Sequence, residues 1–359
     1  MKKKSRFISN MPVLVSEGNP DNLDFEDEYP VALSDSESGE EDYPPIRPDD
    51  LLLLAGKIEG EFSSLELYTY DSDKGSLMIH HDIMLGNYPV CLEWLCVHPG
   101  SIASGSAQKG NFGIVGSLSP EIEIWDLDAF EPEAPFLTFK GKDGHKDAVT
   151  ALSVHPVRHN ILLSGSADQT VKIWDVEKAK NVFTFKDNSD KVSSVIWDET
   201  NESCLISVTM DGSVQHMDAR DNKSIRKCQS KGEGEIESAV IFGNNIFLGF
   251  ESGTIQTIDL TSMKLQANKK IKAHQSAVMG LGVINRGYLA SGGNDGYLRL
   301  FDLSNMSKIS EIQTKASEIL GASVCLDQDN LIAFGSSSGE VVIWDTETAI
   351  KGKLQLDDD

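Results

Sequence analysis

Apolar residues in this chain come in short bursts, divided by turns rich in Gly, Asp, Asn and Ser. Many of the bursts alternate with polar positions, and few reach the ten or more residues that a packed helix needs. Val, Ile, Leu and aromatic side chains dominate them, so the pattern predicts strands. Over the second half of the chain the bursts fall into register. First strands are expected to begin near Ala148, Val192, Ile236, Ala277 and Ile319. Their partners are expected at 161–164, 205–208, 246–250, 289–291 and 331–334.

A third burst closes each unit and ends on an aspartate. These aspartates are Asp126, Asp175, Asp218, Asp259, Asp302 and Asp345, at spacings of 49, 43, 41, 43 and 43 residues. A degenerate earlier copy at 64–70 makes seven. Seven residues before the closing aspartate stand Asp168, Asp211 and Asp295, with Ser252 and Ser338 in two other copies. Gly follows at 212, 253, 296 and 339, where a tight strand-to-strand turn requires positive φ. Ser164, Ser207 and Ser291 lie four residues upstream of the turn aspartates, and His145 and His274 lie farther upstream. His145, Ser164, Asp168 and Trp174, like His274, Ser291 and Asp295, resemble the buried hydrogen-bonded tetrad of WD repeats. The expected fold is therefore all-β, a seven-bladed WD40 β-propeller closed by strands from both termini in one blade region. Taken singly, His145, Asp168 and Ser164 could pass for a catalytic triad. An active site occurs once, however, whereas this pattern is distributed around a ring.

Composition narrows the function. The chain has 359 residues and a formal charge of −24. Such a surface repels phosphate backbones, so direct nucleic-acid binding is disfavoured and basic proteins are the natural partners. The five cysteines (91, 96, 204, 228 and 325) are scattered with no C-x-x-C pair, which argues against zinc and favours a reducing setting. No apolar run approaches the ~18 residues of a membrane-spanning helix. No phosphate-cradling glycine loop is present, and the Gly/Ser-rich stretch at 99–113 precedes a strand rather than a helix. His80-His81-Asp82 sits within an expected strand, 77–85, where neighbouring side chains point to opposite faces, so a metal site is disfavoured. No cofactor is implied, and an enzyme is the least favoured class.

The whole chain, 1–359, reads as one propeller ending in the acidic residues 357–359. Residues 17–50 break the strand pattern: 13 acidic residues stand there against Arg47 alone, with five prolines. Such a segment cannot bury enough apolar surface to fold by itself. Ser34, Ser36 and Ser38 lie among its acids and are candidate acceptors for an acidophilic kinase. Blade 1 lacks a local inner strand, and residues 5–16 are the candidate, which makes 17–50 an insertion inside that blade. If strands alternate in direction, this insertion and the one at 99–113 leave the same face of the disc on adjacent blades. That face is the expected partner surface. A final outer strand is expected at 350–356.

Several segments carry a closer resemblance. They are 46–51 (IRPDDL), 65–70 (LELYTY), 80–85 (HHDIML), 88–95 (YPVCLEWL) and 110–128, from Gly110-Asn111-Phe112 to Pro120 and Asp128. Together they resemble the periodic tryptophan protein 1 family of eukaryotic WD-repeat proteins. The resemblance implies a nuclear and nucleolar, non-catalytic scaffold that assists assembly of the large ribosomal subunit. Implied partners are ribosomal proteins and pre-60S assembly factors, with the chain a monomer within a larger complex. An alternative implied role is a regulator of ribosomal RNA transcription that binds histone H4 tails. The chain departs from the family in a short acidic N-terminal segment and in lacking a long lysine run before Gly144-His145. Asp218-Ala219-Arg220 resembles a cullin-ligase receptor motif, but Met217 stands where that motif has Trp.

Overall fold

The computed structural model describes residues 6–7, 14–16, 51–72, 74–101, 108–129, 132–198, 200–221, 223–230, 234–284, 287–315, 318–325, 328, 330–347 and 349–350. Seven sheets follow one another along the chain. Blade 1 is built on Leu51–Glu59, Phe62–Asp71 and Ser76–Leu85. Blade 2 holds Pro89–Val97, Lys109–Ser117, Ile122–Asp126 and Leu137–Phe139. Blade 3 holds Val149–Val154, Ile161–Ser166, Val171–Asp175 and Lys180–Phe185. Blade 4 runs through Val192–Trp197, Cys204–Thr209, Ser213–Asp218 and Lys223–Gln229. Blade 5 starts at Ile236–Phe242 and blade 6 at Val278–Ile284. Blade 7 holds, among the described residues, Ile319–Val324, Leu331–Ser336 and Val341–Asp345. Within each blade these strands pair antiparallel in sequence order, and in blades 2 to 7 the first strand lies innermost, packed on the first strands of the neighbouring blades.

Sheets pack face to face, and each inter-blade seam is an apolar core. Between blades 2 and 3, Ile114, Ile122, Ile124 and Phe139 meet Leu152, Leu162 and Trp174. The seam that closes the ring joins Cys325, Leu331 and Ala333 of blade 7 to Leu51, Leu53, Ala55 and Tyr68 of blade 1. Burial of this many aliphatic groups at ~25 cal/mol per Å² holds neighbouring blades together. The all-β seven-bladed propeller expected from the strand pattern is thus the fold observed.

Three expectations are corrected. The alternation of strand direction expected at the start of blade 1 does not hold: the described parts of 5–16, Arg6–Phe7 and Leu14–Ser16, both pair parallel to Leu51–Glu59. A parallel neighbour requires a crossover connection. With Ser16 beside Glu59 and the chain resuming at Leu51, the 17–50 connection starts at one face and ends at the other. It shares only its return end with the blade 2 loop. That loop is also shorter than expected, because Lys109–Ser117 already belongs to the second strand. Finally, Ile350 does not begin a strand but ends a helical turn, its N–H donating to the Thr346 carbonyl at 3.0 Å. Residues 17–50 and 351–359, including Ser34, Ser36 and Ser38, lie outside the described residues.

Candidate functional site

The histidines of the repeat sit in the loops that enter blades 3 and 6, and the strands bring their partners up to them. In blade 3, Trp174 Nε1–H donates to Ser164 Oγ at 2.8 Å, and Ser164 Oγ lies 2.7 Å from His145 Nε2. His145 Nδ1 lies 3.1 Å from Asp168 Oδ2. One direction of donation satisfies every atom: Trp174 to Ser164, Ser164 to His145 Nε2, and His145 Nδ1–H to Asp168. Asp168 further accepts from the Thr170 hydroxyl at 2.6 Å and the Lys146 N–H at 2.9 Å. Burial pushes the His145 pKa down despite the aspartate, so the ring is neutral, while its partners hold Asp168 far below the usual carboxylate range.

Blade 6 repeats the arrangement with His274 Nε2 2.7 Å from Ser291 Oγ and Nδ1 2.8 Å from Asp295. Phe301 stands where Trp174 does and offers no donor. Arg299 joins instead, its guanidinium 2.8 Å from Asp295, whose pKa is lowered to about 2. Burial again depresses the histidine.

Blade 4 holds a version that the histidine search missed. Ser207 Oγ donates to Asn188 Oδ1 at 2.9 Å, and Gln215 Nε2 approaches the same oxygen at 3.3 Å. Asn188 Nδ2 in turn donates to the Gln169 carbonyl of blade 3 at 3.1 Å. The signal was available: Asn188 precedes Ser207 by the same 19 residues that separate His145 from Ser164. A second inter-blade contact was also missed. His155 stacks on Trp197 at 4.7 Å, points Nε2 at the Glu202 carbonyl (2.9 Å) and accepts the Val157 and Arg158 N–H groups at Nδ1.

The closing aspartates have a local task. Asp126, Asp175, Asp218, Asp259, Asp302 and Asp345 each accept a backbone N–H two residues on, which shapes the turn into the next segment. Arg220 folds back onto Asp218 at 2.9 and 2.7 Å. His80 and His81 do not splay apart as strand neighbours should. A bulge beside Tyr68 brings their Nδ1 atoms to 2.7 Å. Among the described residues no group of three His, Cys, Asp or Glu side chains could hold a metal.

Open spaces lie elsewhere. The inner strands of blades 3 to 7 leave a central gap of about 90 Å³, lined by residues such as Thr150, Val195, Ala239 and Leu281. A shallow depression of about 570 Å³ between blades 5 and 6 is lined by Phe242, Phe247, Lys269, Tyr288 and Asp302. Neither touches His145, Ser164, Asp168, His274 or Ser291. Near the centre, on the inner strand of blade 2, Glu93 is buried with its pKa raised to about 8. Two backbone N–H groups, of Trp94 and Val154, only partly offset the burial.

A seven-bladed ring whose blades repeat such clusters is a WD-repeat β-propeller. The family model described as WD domain, G-beta repeat matches residues 134–175 and 265–302. The WD40 β-propeller domain of Doa1 superposes with a TM-score of 0.63 at 18% identity, covering 80% of this chain and 90% of that one. Over most of its length the chain resembles periodic tryptophan protein 1 proteins. It is 27% identical over 331 residues to the homolog from Drosophila melanogaster, covering 87% of this chain and 70% of that protein. To periodic tryptophan protein 1 of Saccharomyces cerevisiae it is 29% identical over 315 residues, 70% of this chain and 53% of that protein. U3 small nucleolar RNA-associated protein 15 of Schizosaccharomyces pombe is 24% identical over 238 residues, 66% of this chain and 46% of that protein. The chain thus spans less than two thirds of the yeast relatives' own length.

Proposed function

We propose that this protein is a non-catalytic propeller scaffold in ribosome biogenesis, acting in the nucleus and nucleolus on maturation of the large subunit. The resemblance to periodic tryptophan protein 1 proteins along most of the chain carries this reading. Two physical observations support it. The histidine clusters of blades 3 and 6 are hydrogen-bonded within themselves and repeat one arrangement, which suits clips between loop and blade better than a reaction centre. The net charge of −24 favours basic partners such as ribosomal proteins and assembly factors. Histidine, serine, aspartate and tryptophan in blade 3, and their counterparts in blade 6, then hold the disc rigid while its faces bind. Phosphorylation of Ser34, Ser36 or Ser38 would deepen the acidity of the inserted segment.

Sedimentation of the tagged full chain tests the reading. It is expected to travel with large-subunit precursor particles at low salt and to be released as ionic strength rises, since exposed charge pairs are screened within ~10 Å at 0.1 M. Sedimentation as free protein at low salt, together with capture by histone H4 peptides, would instead favour the chromatin role.

A further inference from the structure

Cations in this acidic chain mostly stand among acids, as Lys140, Lys142 and Lys146 do with Asp143 and Asp147, or Lys186 and Lys191 with Asp187 and Asp190. The edge of blade 5 is different. The longest stretch of the sequence without an acidic residue lies between Asp259 and Asp295, and it carries Lys264, Lys269, Lys270 and Lys272. Among the described residues Lys264, Lys269 and Lys272 make no ion pair, whereas Lys178 pairs with Asp175 and Lys308 with Glu311. Lys272 donates to the Ser252 carbonyl instead. The edge is also built differently. Outer strands in blades 3, 4 and 6 are unbroken, but in blade 5 a 3-10 turn, Ala267–Lys269, separates Lys264–Leu265 from Ile271–Lys272. Gln266 Nε2 donates to Asn245 Oδ1 at 2.8 Å, and the Thr257 hydroxyl donates to the Lys269 carbonyl at 3.1 Å, which fixes the turn on the blade. Lys269 thereby joins the lining of the depression between blades 5 and 6, about 570 Å³ in volume, with Phe242, Phe247 and Tyr288. The carboxylate in that lining, Asp302, has Oδ1 engaged by the N–H and hydroxyl of Ser304 at 2.8 and 2.6 Å. An aromatic lining thus opens beside a run of cations.

We propose that this edge of blade 5 and the depression beside it bind an acidic peptide of a partner protein. One aromatic side chain of the peptide seats among Phe242, Phe247 and Tyr288, and its flanking carboxylates meet Lys264, Lys269 and Lys272. The depression has the size of a small binding pocket, and aromatic walls with a few polar groups are the usual lining of one. Charge complementarity selects the occupant, because an acid-free, lysine-bearing edge attracts carboxylates. It also separates a peptide from a nucleic acid. A polynucleotide carries a charge on every residue and, beyond these lysines, meets the surface of a chain with a net charge of −24. A short peptide confines its charge to the lysines. This partner is additional to the basic ones of the scaffold role and of opposite charge to them, so the two readings stand or fall separately.

Fluorescence anisotropy with the full chain at low ionic strength tests the site. The probes are a fluorescein-labelled random copolymer of glutamate and tyrosine, labelled polyglutamate and labelled poly(U). The copolymer is expected to bind about tenfold tighter than polyglutamate, since only it carries an aromatic anchor, and poly(U) is expected not to bind. Lys269→Glu is expected to weaken the copolymer about fivefold or more, and Lys178→Glu in blade 3, the same change in net charge, less than about twofold. Tyr288→Ala is expected to erase the preference for the copolymer over polyglutamate. Both lysine changes lie outside the core, which keeps the test readable if Tyr288→Ala misfolds. Equal losses in Lys269→Glu and Lys178→Glu would show an effect of net charge alone and overturn the proposal. Absence of copolymer binding overturns it, as does a preference for the copolymer that survives in folded Tyr288→Ala. Binding of poly(U) in preference to the copolymer assigns the edge to nucleic acid and also overturns it.

Discussion

Ser164 of blade 3 and Ser207 of blade 4 occupy the same place in their blades, both with no exposure to solvent. Each stands opposite the third strand, Ser164 at Lys172 and Ser207 at Gln215. A buried hydroxyl must find partners. Blade 3 supplies a histidine and a tryptophan, so that one serine links two otherwise unpaired ring nitrogens. Blade 4 supplies Asn188, whose oxygen takes both Ser207 and Gln215. The difference separates what the fold needs from what the repeat prefers. The fold needs the serine's hydroxyl satisfied from the preceding loop, and either a titratable or a non-titratable side chain will do it.

The largest contrast is expected from removing the two serines. Ser164→Ala leaves a ring acceptor on His145 and a ring donor on Trp174 without a mate in the same buried space. It is expected to cost about 2–3 kcal/mol. Ser207→Ala leaves Asn188 still engaged by Gln215 and by the Gln169 carbonyl, and is expected to cost about 1 kcal/mol. Urea unfolding of the full chain, followed by tryptophan fluorescence, measures both. Equal losses would mean that the ring nitrogens of blade 3 reach water once the serine is gone.

This contrast also shows what could be read in advance. Strand order and the recurring aspartates were legible because they follow a short period and carry a local task, the capping of a turn at Asp175 or Asp302. Trp174 and His145 were legible because their side chains are rare. Asn188 was not, because asparagine is common in loops and only its distance from Ser207 sets it apart. His155 escaped for a different reason: the group its Nε2 meets, the Glu202 carbonyl, has no side-chain signature, and its ring partner Trp197 belongs to the next blade. Strand direction at the N-terminus failed because periodicity states which residues are extended and is silent on whether neighbours run parallel. The bulge that joins His80 to His81 likewise adds one residue to a strand without altering its composition.

Acidity should divide the two blades next. Burial holds His145 below the ordinary histidine value of 6.5, so the unfolded chain takes up a proton that the folded chain refuses. Its contribution is therefore complete above pH 6.5 and declines as the pH falls below it. The same sign applies to His155 and His274. Asp168 and Asp295, held below their ordinary 3.8 by hydrogen bonds from the histidines, lose their contribution only beneath that value. Glu93 acts in the opposite sense, since its raised value of about 8 favours the folded state as the pH drops from there towards 4.5. A raw pH profile therefore mixes signs, and the informative quantity is a difference between variants. His145→Asn gives blade 3 the non-titrating partner of blade 4. The gap between its urea midpoint and that of the wild type is expected to narrow from about pH 7.5 to about pH 5. A gap independent of pH would show that His145 titrates alike in both states.

The finest test concerns the turn that joins the second and third strands. Blades 4 to 7 place glycine there, with φ of +90°, +81°, +73° and +79° at Gly212, Gly253, Gly296 and Gly339. Blade 3 has Gln169 at φ +66°, a left-handed conformation that costs an L-residue about 1 kcal/mol. Gln169→Gly removes that cost but adds freedom to the unfolded chain, so a net gain of about 0.5 kcal/mol is expected. The backbone carbonyl at 169, which accepts from Asn188 Nδ2 at 3.1 Å, is retained in the variant, so the link from blade 3 to blade 4 is unaffected. A urea midpoint that moves down rather than up would show that the Gln169 side chain, and not only its backbone, helps hold the two blades together.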